Sequence, residues 1–98
     1  MVRHNVMWNL KDEALGHTKW ENAAEMKKKL EALVGKVEGL LSAEVSFNFT
    51  DGGHDVCLVA THTDKAALAH YQGHPAHLEV KKFVHAVIES RVCHDAEI

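Results

Sequence analysis

The segment DVCLVATH at residues 55–62 constrains the fold of this chain more than any other. From Val56 to Ala60 its side chains are apolar on both alternating faces, which describes a central strand covered on both sides. A chain of 98 residues has room for one domain, spanning 1–98, and such a domain buries only about 60–65% of the surface its unfolded form exposes. Helices can supply one cover. The other needs a separate source.

The rest of the chain shows where the helices lie. Residues 2–10, VRHNVMWNL, alternate, with Val2, His4, Val6, Trp8 and Leu10 on one side, and predict a first strand. After a polar link, Thr18 and Glu21 fit a capping box. Met26, Leu30, Leu33, Val34 and Val37 then follow at helical spacing, and Gly35 and Gly39 suit its exit. Residues 40–50 alternate again, Leu41, Ala43, Val45, Phe47 and Phe49 facing one way, before the turn signal Asp51-Gly52-Gly53. Asp64 can cap a short helix carrying Ala67, Leu68 and Tyr71, and Pro75 fits the first turn of another, whose stripe is Val80, Phe83, Val84 and Val87. A fourth strand is expected around 88–95. The order strand, helix, strand, strand, helix, strand gives an α+β, ferredoxin-like fold: a four-stranded antiparallel sheet with its helices on one face.

The second cover is then a second copy of the chain, packed sheet to sheet as a dimeric alpha/beta barrel. The alternative is a monomer with a semi-polar outer face, which Arg3, Asn5, Asn9 and Glu44 would allow. Eleven basic residues against fourteen acidic ones argue against a nucleic-acid partner. No apolar run is long enough for a membrane span, and the first residues lack a signal-peptide core, so a cytoplasmic location is expected. Cys57 and Cys93 are expected about 9–10 Å apart across the sheet, too far for a disulfide, and are read as free thiols.

Nine histidines are an excess for this length. His70, His74 and His77 have metal-like spacing, but Gly73 and Pro75 break the helix that would align them, so no metal is expected. His17, His54, His85 and His94 read as surface residues, and His62 closes the third strand. His4 lies on the apolar side of the first strand, His77 shares a helical stripe with Val80 and Val84, and Tyr71 lies on the apolar face of the short helix. Three polar tips in one hydrophobic layer are costly unless they serve a cavity. A tyrosine with histidines suits proton transfer beside a carbonyl, since imidazole titrates near neutrality and a phenol stabilises a developing enolate.

The opening VRH-V-W-LK-DE, Gly39-Leu40, and above all the run Tyr71-Gln72-Gly73-His74-Pro75-Ala76-His77-Leu78-Glu79 resemble the stress-responsive dimeric alpha/beta-barrel family across essentially the whole chain. The resemblance implies ferredoxin-like protomers that form a homodimer through their sheets. Most members have no established activity. Some plant members are stress-induced or antifungal, and one is the polyketide cyclase that forms olivetolic acid by an intramolecular aldol condensation, without metal or organic cofactor. By this resemblance Tyr71 and His77 would be the acid/base pair and His4 the first-strand histidine. Val6, Trp8, Met26, Leu30 and Leu58 would line a pocket for a small apolar or aromatic ligand. Where that cyclase has bulky aromatics on its first helix, this chain has Met26 and Leu30, and Trp8 takes space a long acyl chain would need, so the olivetolic substrate is not expected. Haem-degrading and cofactor-free monooxygenases use the same barrel. For the haem group Asn5, Trp20 and His77 offer the residue types, but Asn5 alternates away from His77 and Trp20 sits at the start of the first helix.

Overall fold

A computed structural model describes all 98 residues. Its elements are β1 (Val2–Leu10), the short strands β2 (Glu13–Ala14) and β3 (His17–Thr18), α1 (Lys19–Glu31), β4 (Leu40–Phe47), β5 (Val56–His62), α2 (Lys65–Gly73), α3 (Pro75–Val87) and β6 (Ile88–Glu97). The main sheet runs β4-β5-β1-β6 with every neighbouring pair antiparallel. This is the ferredoxin-like order, with β5 and β1 in the centre and the helices on one face. The sheet's apolar strand is therefore where the sequence puts it.

The helix boundaries follow from their caps. Thr18 and Glu21 form the reciprocal capping box, Asp64 accepts from the Ala67 amide at 2.8 Å, and His74 caps α3 ahead of Pro75. Gly39 enters β4 with φ +89°, and a Cβ there would stand 2.6 Å from the Ala67 side chain. Only glycine allows that approach of α2. The α1 helix is tied to the edge strand by Glu31, whose carboxylate accepts from the Val45 amide at 2.9 Å and from Lys27 at 2.7 Å. Lys27 and that amide hold the Glu31 carboxyl below its ordinary range.

Four local expectations change. The polar link holds a hairpin, β2–β3, closed by left-handed backbone at Leu15 and Gly16. Two-residue strands carry no hydrophobic period, so alternation could not reveal them. Second, β4 starts on a bulge: Leu40 pairs with His62 and Ser42 with Thr61, leaving Leu41 as the extra residue. A bulge reverses the facing of what precedes it, so Leu40 is buried and Leu41 is half-exposed. The strand also stops at Phe47, leaving Phe49 in solvent. Third, α1 ends at Glu31, and Val34 falls in a turn and is exposed while Leu33 and Val37 stay buried. Fourth, β6 is longer than expected and pairs with β1 along its length.

The core lies between helices and sheet. Ala23, Met26 and Leu30 of α1, with Leu33 and Val37 beyond it, cover Leu10, Val45, Val56 and Leu58. The opposite face has no helix, and Met7, Val59 and Val92 are each about two-fifths exposed there. Cys57 pairs across to Met7 on this face and Cys93 lies opposite Val6, so the two thiols sit on opposite sides of the sheet, both free.

Candidate functional site

A cavity of about 360 Å³ opens between α2, α3 and the sheet, at the small end of ligand pockets. Its floor is β1 and β5: His4, Val6 and Trp8 alternate inward along β1, and Leu58 lies beside them. Tyr71 enters from the last turn of α2. The stripe His77, Val80, Lys81 and Val84 enters from α3, because those positions recur every three or four residues. Leu30 closes the side toward α1, and Arg91 of β6 stands at the other.

The three polar tips converge as the sequence predicts. The Tyr71 ring stacks on His77 with centroids 4.2 Å apart and meets His4 edge-on at 6.3 Å. Burial pushes the Tyr71 hydroxyl up to about 12, so it stays protonated and acts as a donor. Tyr71 lines the cavity, and its hydroxyl is not among the buried polar atoms left without a partner. His77 is held below its ordinary value, first by burial, with Lys81, His4 and Arg91 adding repulsion. The imidazole is thereby kept neutral near pH 7. Its Nδ1 lies 3.4 Å from the Gln72 carbonyl; an oxygen can only accept, so the proton belongs on Nδ1 and the lone pair on Nε2.

His4 is buried and its Nδ1 bonds the Asp95 carboxylate, directly across the β1–β6 ladder. That partner fixes the ring and leaves Nε2 as the nitrogen available to a ligand. Behind this pair, His62 is fully buried with neither ring nitrogen bonded, 4.9 Å from the Tyr71 ring. Burial, together with His4, lowers its pKa, so it packs as a neutral ring.

Of the residues expected at the pocket, His4, Tyr71, His77, Val6, Trp8, Leu30 and Leu58 line it, whereas Met26 does not. Met26 sits wholly within the core beneath α1, one turn before Leu30. His70 and His74 form an edge-on pair of their own, with centroids 5.4 Å apart, while His77 turns to Tyr71. Asn5 bonds the His94 carbonyl and Trp20 packs half-exposed on Phe47, so neither reaches His77.

Sequence reasoning missed Asp95, His62, Lys81 and Arg91. His62 was within reach: Val56, Leu58, Ala60 and His62 share one face by simple alternation. Lys81 follows His77 by four positions on the same helix. Asp95 and Arg91 needed the register of β6, which pairs them with His4 and Trp8.

This architecture, a ferredoxin-like protomer with one uncovered sheet face and a cavity under its helices, defines a class of small barrel proteins. The chain belongs to the stress responsive A/B barrel domain family, whose model matches residues 2–98. It is similar to a dimeric protein of unknown function from Bacteroides fragilis, at 28% identity and TM-score 0.88, covering 99% of this chain and 95% of that one. It is also similar to At3g17210 from Arabidopsis thaliana, at 22% identity and TM-score 0.85, covering 100% and 95%. An antibiotic biosynthesis monooxygenase shares the fold at 13% identity and TM-score 0.79, covering 100% and 98%. No curated protein matches the chain.

Proposed function

We propose that the protein binds a small, mainly apolar carbonyl compound in this cavity and moves a proton on the carbon beside the carbonyl. The observation that carries the reading is the convergence of Tyr71, His77 and His4 on one open cavity instead of on a sealed core. Neutral His77 takes the α-proton, and the electrons of the broken C–H bond form an enolate. The Tyr71 hydroxyl donates a hydrogen bond to the enolate oxygen. The enolate then regains a proton from His77, giving isomerisation, or its carbon attacks a second carbonyl within the same molecule, whose π electrons pass to its oxygen and take the proton back from His77, giving ring closure to a β-hydroxy ketone. His4, fixed by Asp95, faces the same ligand from the sheet. The family resemblance supports the same roles.

Acetophenone tests this reading. NMR should show it perturbing amides around the cavity and should show faster deuterium exchange at its methyl group than free imidazole produces. Tyr71→Phe and His77→Ala should each slow that exchange, and exchange in the native protein should fall on acidification, at a pH below the ordinary histidine value because burial lowers the His77 pKa. Binding without accelerated exchange would leave a ligand carrier and not an enzyme. No binding would defeat the reading.

The unit is a homodimer joined through the helix-free sheet faces, where Met7, Val59 and Val92 gain cover. The similar protein from Bacteroides fragilis is dimeric, which supports a two-chain unit. Sedimentation showing a monomer at micromolar concentration would contradict it. Two free cysteines support a reducing, cytoplasmic setting.

A further inference from the structure

We propose that the ligand of this cavity carries an oxyanion group, a carboxylate or a phosphate, held at the cavity's mouth between Lys81 of α3 and Arg91 of β6. The inference rests on the cavity being a ligand site and adds the ligand's charge and orientation.

The lining is sharply divided by depth. His4 and Tyr71 are almost wholly buried, whereas Lys81 and Arg91 are exposed, so these two mark the open end. They are the only residues of fixed charge in the lining, and no carboxylate joins them there. That is the reverse of the molecule as a whole, which has fourteen acidic residues against eleven basic ones. Five other lysines sit in ion pairs, but neither Lys81 nor Arg91 is within ion-pair distance of an acidic group. Both come from rigid elements: Lys81 lies one turn beyond His77, and Arg91 stands directly opposite Trp8 in the β1–β6 ladder. Two free cations on opposite walls, with a half-apolar interior behind them, favour an anion at the rim and an uncharged body inside. Arg91 offers a planar fork suited to two oxygens, and Lys81 a mobile point charge.

Such an anion would also act on the chemistry. Lys81 and Arg91 both disfavour a proton on His77, and a bound oxyanion would offset that repulsion. The base would strengthen when, and only when, the ligand's charged end is seated.

The test compares 4-acetylbenzoate and 4-acetylphenyl phosphate with the neutral 4-acetylbenzamide, all bearing the same ketone, by calorimetry and NMR. We expect one or both anions to bind at least several-fold more tightly than the amide, and the better of the two identifies the group. Lys81→Gln and Arg91→Gln should each weaken anion binding by about 5-fold and affect the amide distinctly less, so that the gap between them narrows. Added sodium chloride should narrow the gap in the native protein, a readout that needs no variant. The His77 ring should titrate at higher pH in the anion complex than in the amide complex. Equal affinity for all three compounds, or an anion preference that survives both substitutions, would overturn the inference while the cavity reading stands. If none of the three binds, both fall.

Discussion

The layer between helices and sheet has two unlike halves. Under α1 it is solid: Leu10, Met26, Leu33, Val37 and Val56 are all within about two per cent of full burial. Under α2 and α3 it is hollow, although β1 and β5 run through both halves and offer apolar side chains to each. The difference comes from the strand at the far edge. On the inner face of β6, Arg91, Cys93 and Asp95 stand opposite Trp8, Val6 and His4, and β6 is exposed almost throughout. A strand that is polar where its neighbour is apolar cannot close the layer, so α3 roofs a gap whose open side carries charge. The cavity is thus a consequence of edge-strand composition, with no distortion of the fold required.

This contrast is broken most directly by truncation. Met26→Ala, in the solid half, should lower unfolding free energy by about 3 kcal/mol, combining lost burial with an unfilled hole. Val80→Ala widens a space that already exists and should cost less than about 1 kcal/mol. Urea denaturation of the two variants gives the comparison. Equal losses would mean that the hollow half is packed in solution.

His62 lies where the halves meet, and its effect depends on pH. Its native pKa is lowered from 6.5 because a charged ring would have no water and no partner. Below pH 6.5 the unfolded chain takes up a proton that the folded chain resists, so stability falls as pH falls. The slope from this one site is at most about 1.4 kcal/mol per pH unit. The loss begins above the range in which carboxylates such as Glu31, with an ordinary value of 4.5, protonate. His62→Phe should remove that part of the acid sensitivity and leave stability at pH 8 equal or improved, since two unbonded nitrogens disappear from the interior. Thermal melts from pH 8 to pH 5.5 would show it. Parallel curves for the two proteins would place His62 in contact with water.

The same two halves explain what could be read from the sequence. The solid half was legible because its residues obey one period per element: alternation in β1 and β5, helical spacing from Met26 to Leu30. The inward pair His4 and His77, and Tyr71, were legible as violations of those periods. Asp95 and Arg91 were not, because an edge strand that is exposed on both faces has no burial pattern to violate. Their meaning came only from register, which places one beside His4 and the other beside Trp8. The resemblance places Met26 at the pocket, and helical spacing agrees that it faces inward, but neither shows which part of the interior is filled. The bulge at Leu41 was hidden likewise, since one extra residue leaves composition unchanged while reversing the facing of its neighbours.

The smallest effect separates a cavity wall from a core. A tyrosine in a filled interior bonds its hydroxyl, and removing that oxygen typically costs about 1 kcal/mol and strands a partner. The Tyr71 ring is buried against His77 and His62, but Tyr71 lines the cavity and its hydroxyl is not one of the buried polar atoms left without a partner. Tyr71→Phe keeps the ring contacts and should change stability by less than about 0.5 kcal/mol. It should nevertheless slow α-proton exchange in a bound ketone. A loss of 1 kcal/mol or more would assign the hydroxyl to holding the fold, and the hollow half would then be core that happens to contain a gap. Unchanged stability with impaired exchange is the pattern that only a ligand-facing hydroxyl produces.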